Sequence, residues 1–110
     1  MIRVIIERQV AEGLERYYES EITRLLEIAR DAPGYLSGES LVEIHRPNHY
    51  LVLTRWASED AWNRWFHSEQ RQQLLNAIRP FLLDDEKFTL LRQLSYHRDD
   101  NDNAITTRSE

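Results

Sequence analysis

The residues best suited to chemistry lie in one short stretch, from Thr54 to Ser68, which contains all three tryptophans of the chain. Trp62 and Trp65 are three positions apart, so they share one side of a helix with Phe66. Aromatic side chains of this kind can enclose an aromatic molecule. His67 follows directly, and an imidazole that titrates near neutral pH could move a proton to or from that molecule.

The same residues also fit structural roles. Tryptophans three residues apart on an amphipathic helix commonly fill a core, and His67 could simply face water. Arg8 falls on the inward face of the first predicted strand, where it could be a pocket cation or could extend to solvent. His45 and His49 flank a predicted turn, where we expect them to be exposed. A metal site there would need Glu43 as a third ligand, and we predict none.

Composition restricts the possible classes of protein. With 110 residues and 41% hydrophobic side chains, the chain suits one domain, which we place at residues 1–95, followed by a polar tail at 96–110. The formal charge of -5 and the lack of a basic cluster argue against nucleic acid as a partner. The chain has no cysteine and no apolar run near the roughly 18 residues of a membrane span. We therefore expect a soluble, cytoplasmic protein without a membrane partner.

Hydrophobic periodicity predicts the elements that position these residues. The predicted order is β-α-β-β-α-β with the second helix in two pieces, which is the ferredoxin-like plait, an α+β fold with an antiparallel sheet. The predicted elements are a strand at Ile2–Val10, a helix at Leu14–Asp31, strands at Tyr35–His45 and Tyr50–Trp56 joined by a turn at Arg46–His49, helical pieces starting at Ser58 and Ser68, and a strand at Lys87–Leu94.

Helices on one face of such a sheet leave its other face open. That face would carry Ile5, Leu51, Leu53 and Leu91. A contiguous apolar surface of this kind is rarely left exposed, and stacking two sheets would bury it. We therefore predict a homodimer.

The tryptophan stretch also carries a family resemblance. The residues that match are Trp56, Ser58, Trp62, Trp65 and Ser68, together with the Met-Ile-Arg-Val-Ile opening strand, Gly13, and Pro33-Gly34-Tyr35 before the second strand. In order and spacing they resemble the antibiotic biosynthesis monooxygenase (ABM) family over about residues 1–95. The resemblance implies a dimeric α/β barrel with a substrate cavity between helices and sheet, and oxidation of aromatic or polycyclic substrates.

One branch of that family degrades haem, and the resemblance would then require an asparagine on the first strand and a histidine ten residues after the tryptophan that Trp65 matches. These positions hold Ile6 and Leu75. Neither side chain can ligate iron or hydrogen-bond to bound oxygen. We therefore expect no haem and no other cofactor, and we place Ile6 and Leu75 among the residues that contact substrate.

The resemblance then implies a cofactor-independent monooxygenase that acts with O₂ on an aromatic, quinol or polyphenolic molecule. We predict Trp65 and His67 as catalytic residues and Arg8, Trp62 and Phe66, with Ile6 and Leu75, as substrate-binding residues. Two alternatives stay open. One is a non-catalytic small-molecule-binding or stress-related dimer, and the other is a haem-binding or haem-degrading protein in which His67 supplies the ligand.

Overall fold

A four-stranded antiparallel sheet with helices packed on one face forms the described part of the chain, residues 1–95, in this computed structural model. The strand order is β2-β3-β1-β4, which confirms the predicted α+β plait. The predicted tail at 96–110 lies outside the described residues. The elements are β1 (Ile2–Gln9), α1 (Glu15–Ala29), β2 (Tyr35–Glu43), β3 (Arg46–Trp56), α2 (Glu59–Phe66), α3 (Glu69–Ile78), a 3₁₀ turn (Arg79–Phe81) and β4 (Lys87–Arg92).

Strand β1 is central, and its alternation of side chains decides what enters the core. Val4, Ile6 and Arg8 face the helices and are buried, whereas their neighbours in sequence point to the opposite face. In the antiparallel register Ile6 lies between Val52 of β3 and Phe88 of β4. Arg8 therefore occupies one position in a row of otherwise apolar core residues.

Two serines start the helical pieces that carry the aromatic residues. The Ser58 hydroxyl accepts a hydrogen bond from the Ala61 amide at 3.1 Å, and the Ser68 hydroxyl accepts one from the Arg71 amide at 3.1 Å. Each serine thus satisfies an amide that has no partner inside its helix. The predicted starts of α2 and α3 are confirmed, and the break between them places Arg71 in the first turn of α3.

Strand boundaries differ from the prediction by more than one residue at two places. The turn between β2 and β3 lies at Ile44 and His45, not at Arg46–His49, so β3 is longer than predicted. Pro47 can lie within the longer β3 because β1 pairs with β3 only as far as His49. The missing N–H of Pro47 therefore removes no hydrogen bond of the β1–β3 ladder. At the other end β4 stops at Arg92 rather than at 94.

Gly34 shows why the entry to β2 requires glycine. Its φ is +85°, and a Cβ added there would lie 2.5 Å from the Cβ of Ala61. Only a residue without a side chain permits both the left-handed backbone and the close approach of α2. The backbone near Gly34 is also tied to the end of β3, because the Ala57 amide donates to the Gly34 carbonyl at 2.8 Å.

The sheet face opposite the helices carries the apolar residues that the sequence predicted. Ile5, Leu51 and Leu53 are partly exposed there, and Leu91 is exposed. Glu7, His49 and other polar side chains share this face. Within residues 1–95, none of the helices has both the length and the apolar character of a membrane-spanning segment.

Candidate functional site

A charged cluster is buried between the helices and the sheet. Arg8 donates to Oε2 of Glu86 from Nε at 2.7 Å and from Nη2 at 2.5 Å. Arg71 donates from Nη2 to both carboxylate oxygens of Glu86, at 3.0 and 3.3 Å. The exposed fractions of the Arg8, Arg71 and Glu86 side chains are only 1%, 3% and 6%. We call these three residues the arginine–glutamate cluster.

The cluster answers the question left open for Arg8. The side chain does not extend to solvent; it is buried on the inner face of β1. Its partner comes from the short loop before β4, and its second neighbour comes from α3. Two arginines against one glutamate leave one net positive charge in a region shielded from water, where electrostatic interactions are strong.

Aromatic rings surround the guanidinium of Arg71. Its Cζ lies 4.9 Å from the ring centroid of Phe66, 5.5 Å from that of Phe88 and 5.9 Å from that of Trp62. These distances are within the range of cation–π attraction. Burial lowers the pKa of Arg71, and the neighbouring Glu86 carboxylate opposes that shift. Arg71 thus forms a cation with aromatic walls, beside which a planar molecule could stack.

We call the rings of Trp62, Phe66 and Phe88 around the Arg71 guanidinium the aromatic chamber. The three tryptophans do not all belong to it. Trp62 contacts Phe66 and Phe88, with centroid distances of 5.6 and 6.1 Å. Trp65 instead stacks on Trp56 at 6.3 Å in the adjacent core. Trp62 also packs edge-on against Trp56 at 5.8 Å, so it joins the rings around Arg71 to the core that holds Trp65.

Two buried tyrosines extend the polar network away from the aromatic walls. The Tyr18 hydroxyl accepts a hydrogen bond from Nη1 of Arg8 at 3.1 Å, and the Tyr50 hydroxyl donates to Oε2 of Glu19 at 2.5 Å. Burial raises the pKa of both tyrosines, and the carboxylate of Glu19 adds to the shift at Tyr50. Both phenols are therefore neutral at ordinary pH.

The remaining predicted residues fall into two groups. Ile6 and Leu75 are buried in the core that borders the cluster. His67 is exposed at the end of α2, where its Nδ1 lies 2.9 Å from the carbonyl oxygen of Asn63. Its ring meets the edge of Phe66 at a centroid distance of 5.0 Å. The structure thus brings Arg8, Trp62 and Phe66 together and leaves His67 on the outer side of the phenyl wall.

Arg71 and Glu86 were missed by reasoning from the sequence. Arg71 follows the Ser68 cap by three residues, which points to the first turn of a helix but not to burial. Glu86 belongs to the run Asp84-Asp85-Glu86, which looks like a solvated acidic turn. The signal that could have led to both is Arg8, since a charge at an inward strand position needs a buried partner.

Two clefts flank the loop that carries Glu86. A cleft of about 360 Å³ is lined by Leu75, Leu82, Phe88 and Glu86, with acidic residues at its rim. A smaller cleft of about 230 Å³ lies on the other side of the loop and is lined by Arg8 among others. The loop from Leu83 to Glu86 borders both clefts, since its residues Asp84 and Asp85 line each of them.

The histidine pair considered as a metal site is not one. His49 lies between two carboxylates, with Nδ1 2.7 Å from Glu43 and Nε2 3.2 Å from Glu7. The two ring nitrogens point in different directions, so these ligands do not converge on one ion. His45 is exposed at the turn. Over residues 1–95 no group of three suitable side chains is arranged for a metal.

A family model described as antibiotic biosynthesis monooxygenase matches residues 1–77. The chain belongs to this family. A comparison with curated protein sequences found no match. The resemblance read from the tryptophan stretch is thus confirmed by a match that spans β1 to α3.

Several solved structures share the fold of this ABM-family chain. SnoaB, a cofactor-independent oxygenase from Streptomyces nogalater, has a TM-score of 0.77 and 18% identity over 89% of this chain and 98% of its own. A proposed antibiotic biosynthesis monooxygenase from Deinococcus radiodurans has a TM-score of 0.81 and 14% identity over 90% and 98%. A conserved protein from Methanosarcina mazei has a TM-score of 0.78 and 17% identity over 84% and 91%. At these identities the similarity establishes the fold.

The residues of this ABM-family chain do not fit haem. Ile6 and Leu75, at the positions where the haem-degrading branch would need polar side chains, are apolar and buried. His67 is exposed and turned to the Asn63 carbonyl rather than into the chamber. Ile6 and Leu75 offer an iron porphyrin no axial donor, and the His67 imidazole lies on the outer side of the Phe66 ring.

Proposed function

We propose that this ABM-family protein is a cofactor-independent monooxygenase of an aromatic, quinol or polyphenolic small molecule. One observation carries the proposal: a buried arginine guanidinium is surrounded by the rings of Trp62, Phe66 and Phe88. Aromatic walls suit a planar substrate, and a cation among them suits an oxygen that gains negative charge during the reaction. The sheet-and-helix fold shared with SnoaB is consistent with this proposal.

The proposed chemistry requires no external reductant. When a CH₂ group between phenolic rings becomes a carbonyl, one oxygen atom of O₂ enters the substrate and the other leaves as water with the two lost hydrogens. The substrate supplies all the electrons. Its phenolate form is the better electron donor, so the protein has to bind the ring system, stabilise the anion and limit access of water.

The described residues can be assigned to these tasks. Trp62 and Phe66 would hold the ring system, with the apolar side chains of Ile6 and Leu75 behind it. Arg8 and Arg71 would stabilise the phenolate. We assign Trp65 to the support of Trp62 through the shared core, and His67 to proton exchange at the solvent side of Phe66.

A second candidate is an ABM-fold protein that binds a small molecule without chemistry. The observation in its favour is that His67, the candidate proton carrier, lies outside the aromatic chamber. Binding without turnover would need only the aromatic walls and the cluster. The two candidates differ in one measurable property, the consumption of oxygen.

Two further proposals concern assembly and location. We propose a homodimer in which the face bearing Ile5, Leu51 and Leu53 is covered by the same face of a second copy, because this burial removes a contiguous apolar surface from water. We also propose a cytoplasmic location, which a chain without cysteine tolerates.

Oxygen uptake tests the proposed activity. The purified protein is incubated with a panel of quinols and polyphenols in an oxygen electrode, beside Trp62→Leu and the matched surface variant Tyr17→Leu. We expect uptake that Trp62→Leu lowers by at least about tenfold, which corresponds to the loss of one aromatic contact in the transition state. Tyr17, whose side chain is 62% exposed, should be replaceable without loss. Ligand binding without uptake by the wild type would instead favour the second candidate.

A further inference from the structure

The position of Glu86 suggests a property of the site beyond the proposed activity, although it rests on that activity for its physiological meaning. Glu86 is the carboxylate that both buried arginines share. It comes from a loop that contributes neither helix nor strand and that borders two clefts. A carboxylate brought in by a loop resembles a bound anion more than a core residue.

The hydrogen bonds of the loop support this interpretation. Leu83 is anchored to β1, because its amide donates to the Gln9 carbonyl at 2.8 Å. Between Leu83 and the start of β4, the side-chain hydrogen bonds formed with other described residues all come from Glu86. The neighbouring Asp84 and Asp85 are exposed. Release of Glu86 would therefore free the segment from 84 to 86 without breaking a helix or a sheet ladder.

Arg71 also has N–H donors that Glu86 does not engage. Arg71 forms its side-chain hydrogen bonds with described residues through Nη2 alone, while the rest of its guanidinium faces aromatic rings. A guanidinium has five N–H donors arranged to bind a carboxylate in a bidentate manner. The pair keeps one net positive charge even with Glu86 in place. Arg8 and Arg71 together thus have the charge and the N–H donors to bind a second anion, or to bind an anion in place of Glu86.

We propose that Arg8 and Arg71 form an anion-binding site that Glu86 occupies in the free protein and that an anionic group of the aromatic ligand takes over. The ligand class is an aromatic acid, with the negative charge on a carboxylate or a phenolate. Its rings would stack against Phe66 and Phe88, and its anionic oxygen would replace the Glu86 oxygens. The displaced loop would leave the two clefts that it borders open to each other, so binding of the anion and opening of the chamber would be coupled.

Calorimetric titration with 2-naphthoate and with uncharged 2-naphthamide, which has the same ring system, tests the proposal. The full chain is compared with Glu86→Gln, which keeps the shape of the side chain but removes the competing charge. Glu21→Gln is the matched control, because Glu21 also pairs with an arginine, Arg24, at 3.3 Å but on the surface of α1. A parallel titration with 2-naphthol, from neutral to alkaline pH, separates phenolate from carboxylate recognition.

We expect Glu86→Gln to bind 2-naphthoate on the order of tenfold more tightly than the wild type, the factor typical of losing one competing charge-assisted hydrogen bond. The variant should prefer the acid to the amide, and Glu21→Gln should behave as the wild type. Equal or weaker binding of 2-naphthoate by a folded Glu86→Gln protein would overturn the proposal. Equal affinity for the acid and the amide would overturn it as well.

Chemical rescue keeps the proposal testable if Glu86→Gln folds poorly. The smaller Glu86→Ala protein is melted in sodium formate and in sodium chloride at the same ionic strength. A rise in Tm with formate that exceeds the rise with chloride, and that is absent in Glu21→Ala, supports an anion site. Equal effects of the two salts overturn it.

The outcome is independent of oxygen uptake. Selective binding of the acid without any uptake would leave the anion site in place and remove the proposed monooxygenase. Uptake with uncharged quinols but no selectivity for the acid would support the monooxygenase and overturn the anion site.

Discussion

Arg8 and Glu86 are 78 positions apart in the chain, yet their side chains meet at 2.5 and 2.7 Å in the core. The pair joins the central strand to the loop before β4. Neither residue could be buried alone, because an isolated charge in an apolar surrounding is costly. Together with Arg71 they bring β1, α3 and the β4 entry to one point, and the aromatic residues of α2 cover it.

Loss of Glu86 should destabilise the protein strongly. In Glu86→Ala two buried arginines lose their shared carboxylate, and we expect a decrease of about 3–5 kcal/mol in the free energy of unfolding. Urea denaturation followed by tryptophan fluorescence measures it. Glu21→Ala, which removes a carboxylate from a surface pair, should change the same quantity by no more than about 1 kcal/mol. Similar losses in the two variants would mean that Glu86 is not the central partner of the cluster.

We expect Trp65 to stabilise the protein mainly through the packing of its ring, and its indole nitrogen to matter less. It is 6% exposed and stacks on Trp56. Trp65→Ala should lower the free energy of unfolding by about 3–5 kcal/mol, as expected for removal of a large buried ring. Trp65→Phe retains part of the ring contact and should cost less. If Trp65→Phe is stable but loses oxygen uptake that the wild type has, Trp65 contacts the substrate directly.

The buried tyrosines predict a loss of stability at alkaline pH. Burial raises the pKa of Tyr18 and Tyr50 in the folded protein above the ordinary value of 10.0, which the unfolded chain keeps. Below about pH 10 both states hold these protons, so the contribution is constant. Above it the unfolded chain releases them first, and the free energy of unfolding falls as pH rises.

Urea denaturation at pH 7, 9, 10 and 11 checks this alkaline loss. Burial also raises the pKa of Tyr35, so this tyrosine contributes to the same loss. Tyr50→Phe should be less stable at pH 7, because the hydrogen bond to Glu19 is lost, and should have a flatter decline above pH 10. A decline as steep as that of the wild type would assign the loss to other groups.

The sequence predicted the fold from local patterns. Serine caps at 58 and 68, the Pro33-Gly34 break and the alternation in β1 are short-range signals, and each leads to one element. The turn at Ile44 and His45 was missed because Pro47 and Asn48 are stronger turn formers in isolation. There the hairpin register, a property of two strands, overrides the preference of single residues.

Site residues could be predicted only where their position in a strand or helix determines which way the side chain points. Arg8 was placed on the inner face by strand alternation, and Trp62 by helical spacing. Arg71 and Glu86 depend on how α3 and the loop before β4 fold back on the sheet, which no local pattern describes. His67 shows the reverse case, since proximity in sequence to Trp65 did not bring its ring into the chamber.

Haemin should not bind specifically to this protein. Because Ile6 and Leu75 offer no ligand and His67 faces outward, we expect a haemin titration to give the broad spectrum of free haemin without a sharp Soret band. His67→Ala serves as the control. A sharp Soret band in the wild type that disappears in His67→Ala would contradict this expectation and make the histidine an iron ligand.

The open sheet face should determine the state of association. Leu53→Arg places a charge in the middle of the apolar face, between Ile5 of β1 and Glu39 of β2 in the register. Sedimentation at micromolar concentration should give twice the chain mass of 13.2 kDa for the wild type and the chain mass itself for Leu53→Arg, because the cost of removing the new guanidinium from water, even beside Glu39, opposes association. Leu83→Arg, at a residue that is 62% exposed in the loop before β4, adds the same charge away from this face and should stay dimeric. A wild type that sediments as a monomer would remove the proposed interface, and a dimer that survives Leu53→Arg would move it to another surface.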